Sequence, residues 1–106
     1  MPKYLIQAAY TAEGLKGLQK DKASGRREVV NGAINALGGK LEGFYYAFGK
    51  DDVVCIADAP DNTTMAAFAV AISASGLVRT KVTPLLTVEE VDKALQKSVS
   101  YRAPGR

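Results

Sequence analysis

Turn residues and helix stops cut this chain into strand-like and helix-like pieces, and their order leaves few folds open. Residues 3–10 (KYLIQAAY) alternate loosely between apolar and polar and read as a first strand, followed by Thr11, a good helix N-cap. Leu15 and Leu18 suggest a short helix interrupted by Gly14 and Gly17, and Asp21 to Gly25 form a polar break. From Ser24 a stronger helix begins, in which Val29, Ala33 and Leu37 recur every four residues until Gly38-Gly39 supplies a left-handed stop. Residues 40–48 (KLEGFYYAF) read as a second strand and 53–59 (VVCIADA) as a third, joined through the turn chemistry of Gly49-Lys50-Asp51-Asp52 into a hairpin. Pro60 to Thr63 open a helix with Met65, Phe68 and Ile72 on its apolar face, and Gly76 closes it. Residues 77–86 make a fourth strand, in which Pro84 implies an edge position or an irregular end. Thr87 and Glu90 fit a capping box ahead of a short last helix carrying Val88, Val91 and Leu95. The two long helices and four strands fall in βαββαβ order. That predicts an α+β, ferredoxin-like sandwich: a four-stranded antiparallel sheet with helices layered on one face.

The longest unbroken apolar stretch, Met65 to Ile72, is eight residues, against roughly 20 for a membrane-spanning helix. The N-terminus runs straight into a strand with no basic-then-apolar leader, and the single cysteine, Cys55, excludes an internal disulfide framework. The expectation is a soluble, cytoplasmic protein without membrane partners. A net charge of +3 suggests nucleic acid at first sight. Three of the 14 basic residues, Lys97, Arg102 and Arg106, lie in the last ten positions. Without them, residues 1–96 hold 11 basic and 11 acidic side chains. The chain therefore reads as one domain over 1–96 with a basic, flexible tail over 97–106, and the body offers phosphates little attraction.

A sheet covered on one face only should alternate apolar and polar residues, and three strands here do not. In the first, Tyr4, Ile6 and Tyr10 oppose Leu5, with Ala8 and Ala9 divided between the sides. In the second, Leu41 and Tyr45 oppose Phe44, Tyr46 and Phe48. In the third, Val53 and Cys55 oppose Val54 and Ile56. Two helices cover one face, so a broad apolar face is left for a second protomer or a ligand. A homodimer or higher homo-oligomer is expected.

The chemistry open to the chain is narrow. With no histidine, the commonest general base at neutral pH and the usual haem and zinc ligands are missing. With one cysteine, thiolate clusters are excluded, and Cys55, mid-strand between Val54 and Ile56, reads as a buried small hydrophobe. Asp51-Asp52 reads as solvated turn acids, so no metal and no cofactor is expected. Arg79 and Lys81 share one face of the fourth strand, opposite Val78 and Val82. They could hold an anionic or carbonyl-bearing ligand with Gln7 orienting it and a phenol from Tyr10, Tyr45 or Tyr46. The alternative is an edge strand with solvated cations. Lys16, Lys20, Lys22, Arg26 and Arg27 read as a solvated basic face. The aromatic run Gly43 to Phe48 has only a weak likeness to an RNA-stacking strand, because Glu42 stands where a base-binding sheet carries a cation.

Several segments in order carry a family likeness. They are Pro2 to Ala8, Tyr10-Thr11-Ala12-Glu13-Gly14, Leu37 to Glu42, Asp58-Ala59-Pro60-Asp61, and the stretch from Ser73 through Arg79-Thr80 and Thr83-Pro84 to Thr87. Over roughly residues 1–96 the chain resembles the GYD domain proteins. The resemblance implies kinship with dimeric α/β barrels, in which two ferredoxin-like sheets face each other, and no established activity. The chain departs from the motif that names the family: Gly49 and Asp52 fit, while Asp51 occupies the usual tyrosine position. Three functions remain open. The first is a homo-oligomer binding a small organic ligand between facing sheets, with Gln7, Tyr10, Tyr46, Arg79 and Lys81 as ligand-binding candidates and any chemistry cofactor-independent, so that enzyme activity stays undecided. The second is a structural or regulatory interaction module. The third is an RNA binder.

Overall fold

Alternation along the first strand decides which way the sheet faces. In the computed structural model, which describes residues 1–106, β1 (Lys3–Tyr10) buries Tyr4, Ile6 and Ala8 on one side. On the same side β3 (Val53–Asp58) buries Val53, Cys55 and Ala57. Ile34 of α1 (Ala12–Ala36) and Met65 and Phe68 of α2 (Asn62–Ala74) close over them, so one core holds both helices on one face. With β2 (Lys40–Tyr46) and β4 (Val78–Leu85) the sheet runs β2-β3-β1-β4, every neighbouring pair antiparallel. This is the ferredoxin-like α+β fold that the element order predicts. No helix is long and apolar enough to cross a membrane.

The two helical segments expected before Gly38 both form, joined across a break, and are described together as α1. α1 is capped by Thr11, whose hydroxyl accepts from the Gly14 amide at 3.2 Å. At Lys22 (φ 67°, ψ 166°) the backbone leaves helical geometry, within the predicted polar stretch, and the helix then resumes to Ala36. Gly14 is required by a close approach, since a methyl group there would overlap the Leu77 carbonyl oxygen. That oxygen already accepts from the Thr11 amide at 3.0 Å. At the C-terminal end Gly38 turns at φ +83°, and its amide and that of Gly39 donate to Asn35 and Ile34 at 3.0 Å each. α2 is capped by Asp61, which accepts from the Thr64 amide at 2.8 Å.

Strand β2 corrects one expected orientation. Strict alternation pairs Leu41 with Tyr45, but the register passes from Leu41 opposite Ala57 to Gly43 opposite Ile56, leaving Glu42 as an extra residue. This bulge turns Leu41 to the core side beside Phe44 and Tyr46. β4 lies at the sheet edge with Pro84 in register with Tyr4, where a residue without an amide proton is tolerated.

Beyond β4 the chain leaves the body. α3 (Val88–Leu95) carries the predicted capping box: the Glu90 amide donates to Thr87 Oγ1 at 3.1 Å, and the Thr87 amide to Glu90 Oε1 at 2.9 Å. Every residue from Leu86 to Arg102 is exposed.

Candidate functional site

The odd-numbered residues of β1 and β4 and the even-numbered ones of β3 point away from the helices. The register aligns them in rows across the sheet: Tyr45, Val54, Gln7 and Lys81 form one, and Ile56, Leu5 and Thr83 the next. Ala9 faces Arg79 at the end. No element of the chain covers this face. Leu5, Val54 and Ile56 are only half-buried by their neighbours, and Tyr45 is 69% exposed.

The polar groups of this face converge at one end, because the β2–β3 loop folds over it. Asp52 fastens the loop: its amide donates to the Ala8 carbonyl at 2.8 Å, and its carboxylate accepts from the Tyr10 amide at 2.8 Å. This latch satisfies backbone groups at the end of β1. Asp51 is thereby held over the sheet with its side chain only 11% exposed. Its carboxylate takes Lys81 Nζ at 3.1 Å and Gln7 Nε2 at 3.3 Å. The expectation of two solvated turn acids is therefore corrected, since both carboxylates are engaged with β1 or β4. Ala9, Lys50, Asp51, Arg79, Thr80 and Lys81 line a cleft of about 230 Å³. Three cations against one carboxylate leave it net positive. It is open to solvent and lies beside the apolar rows of the sheet face.

The five sequence-predicted ligand residues do not meet. Gln7, Arg79 and Lys81 come together on the open face, whereas Tyr10 and Tyr46 lie on the helix side among residues packed against the core. The Tyr46 hydroxyl donates to the Ala23 carbonyl at 3.1 Å just past the α1 break, and its ring meets Phe44 edge-on at 5.4 Å. Burial, with neighbouring Tyr10 second, pushes its phenol up to about 12, so Tyr46 keeps its proton at neutral pH. The third phenol considered, Tyr45, does stand on the open face, in the row of Gln7 and Lys81. Phe44 and Tyr46 are turned inward and offer no row of aromatics on which bases could stack. Cys55 is buried, and burial pushes its thiol up to about 11, which makes it a packing residue and not a nucleophile. No three Cys, Asp or Glu side chains converge as a metal site would need.

The sequence reading missed Asp51 and Lys50 as parts of the cleft. The available signal was the loop itself. A hairpin loop that starts and ends beside the sheet can fold its side chains back onto it, and one of two adjacent acids then meets the cations of β4.

The family model described as the GYD domain matches residues 4–95 of the 106-residue chain. No curated protein and no solved structure is significantly similar. The match spans all of the sheet except its first residue, Lys3, together with both core helices and α3, and the chain belongs to the GYD domain family.

Proposed function

We propose that the protein works as a homo-oligomer whose open sheet faces meet and enclose a small organic anion, held by Arg79 and Lys81 with Gln7 beside it. The observation that carries this reading is an uncovered, largely apolar sheet face with a single charged cleft at its end. Leu5, Val54, Ile56 and Tyr45 are what a facing protomer or an apolar ligand body would cover, and Lys50, Arg79 and Lys81 supply donors for a carboxylate or phosphate. Lys81 and Arg79 of the cleft, with Gln7 beside Lys81 on the sheet, can polarise a bound carbonyl or carboxylate. Binding alone accounts for the arrangement.

Native mass spectrometry of freshly purified protein, beside the Arg79→Ala/Lys81→Ala variant, tests the reading. An oligomer carrying a reproducible extra mass that the variant loses while keeping its assembly supports an enclosed ligand. An oligomer that holds nothing in either form, and binds no added small carboxylate, leaves an interaction module. A bare monomer refutes the facing-sheet reading.

A further inference from the structure

We infer that the segment from Leu86 to Tyr101 is an exchange arm, whose helix α3 docks its apolar stripe onto the body of a second copy of this chain. Val88, Val91 and Leu95 fall at helical spacing on one side of α3, and Leu86 before it and Val99 after it are further exposed apolar side chains. On its own chain this stripe stays exposed: Val88 is 74%, Val91 41% and Leu95 78% exposed. Its well-formed capping box nevertheless fixes it as a helix. A capped amphipathic helix with an unburied apolar side is a half-made contact.

The dimensions of the chain measure what is missing. A compact monomer of 11.2 kDa exposes about 5,700 Å², whereas this chain exposes 7392 Å². Its radius of gyration is 17.0 Å, against about 13 Å for a compact domain of this length. The excess of about 1,700 Å² per chain becomes about 3,400 Å² when two copies cover each other, within the range of obligate dimers. Two-fold symmetry makes the exchange reciprocal, each arm lying on the other body. Charge favours a protein of this kind over a lipid or nucleic-acid surface. The polar side of α3 itself carries Glu89, Glu90 and Asp92 against one Lys93, and the basic residues Lys97, Arg102 and Arg106 follow only beyond the helix. A second copy offers a net positive α1, where Lys16, Lys20, Lys22, Arg26 and Arg27 outnumber Glu13, Asp21 and Glu28, and where Lys20 and Lys22 are in no intrachain ion pair.

The inference is independent of the ligand and shares with the proposed function only the second copy. Sedimentation velocity and small-angle X-ray scattering on the full chain test it, beside two charged variants: Val91→Asp/Leu95→Asp on the arm and Val54→Asp/Ile56→Asp on the open sheet face. Far-UV circular dichroism confirms that each variant is folded. The wild type is expected to be a dimer. The arm variant is expected to dimerise at least ~100-fold more weakly, since two apolar anchors are lost, and to give a folded, extended monomer. A wild-type monomer near 13 Å, with the arm folded onto its own body, overturns the inference. So does a wild-type monomer near 17 Å, whose arm waits for a different partner. If only the open-face variant dissociates, the arm inference fails and the facing sheets stand. If only the arm variant dissociates, the facing-sheet reading fails and the arm stands.

Discussion

Removing either partner of the Lys81–Asp51 pair should have unequal effects, and the inequality follows from where the two charges sit. Lys81 is 54% exposed along its side chain, while Asp51 is 11% exposed and also accepts from Gln7. Asp51→Asn keeps an acceptor for Gln7 and releases Lys81 to water, so it should lower stability by only about 0.5 kcal/mol. Lys81→Met leaves a nearly buried carboxylate with one neutral donor, and should lower it by about 1–2 kcal/mol. In the double variant the stranded carboxylate is gone, so the two effects should not add. The cycle should return a coupling of roughly 0.5–1 kcal/mol. Urea denaturation of the four proteins at one protein concentration measures this, with a fall in melting temperature of about 4–8 °C per kcal/mol as a second readout. Repeating the cycle in ~1 M salt should reduce the coupling, because screening then acts over about 3 Å. Equal single-variant effects, or a coupling of zero at low salt, would refute the placement of Asp51 over the sheet. The cleft with which the proposed ligand site is built would then be wrong as well.

Other consequences can be checked separately. Gly14→Ala pushes a methyl group against the Leu77 carbonyl and should lower stability by about 1–3 kcal/mol. Gly17→Ala meets open space on the same helix and should be neutral or stabilising by up to about 1 kcal/mol; urea midpoints compare the two. Cys55 should resist thiol reagents at pH 8 until the protein is unfolded, which a time course of labelling with and without denaturant reads directly. Burial raises the folded thiol to about 11, so between pH 9 and 11 the unfolded chain loses this proton first and stability falls. The contribution is fully present below pH 9 and lost by about pH 11. Cys55→Val should remove that part of the alkaline slope in a pH series of urea midpoints.

How far the sequence could be read depended on whether period two held along each strand. In β1 and β3 it does, and the burial of Tyr4, Ile6, Val53 and Cys55 follows from it. The same parity already opposes Gln7 to Tyr10, so a site containing both was inconsistent with a single face. In β2 the bulge at Glu42 reverses Leu41. A one-residue insertion of this kind leaves no mark in composition, since the energy that selects it lies in the pairing with β3. The break in α1 was visible as a polar run, but its placement at Lys22 was not. The cleft depends on three segments distant in sequence, Gln7, Lys50-Asp51 and Arg79 to Lys81. The register brings Gln7 opposite Lys81, and the Asp52 latch brings Lys50-Asp51 beside them. The freedom of α3 from its own body was equally hidden, because a stripe of Val88, Val91 and Leu95 looks the same whichever surface receives it.

The latch formed by Asp52 separates two jobs that a short loop usually combines. Since its amide and carboxylate both bind β1, the preceding position is also held above Gln7 and Lys81 by bonds that do not use its own side chain. Position 51 is thus a socket. Aspartate there makes an ion pair, an amide would leave the lysine free, and a tyrosine would bring a ring and a hydroxyl to the same place. Exchanging one residue would change the groups that the cleft presents, while the Asp52 bonds to β1 do not depend on it.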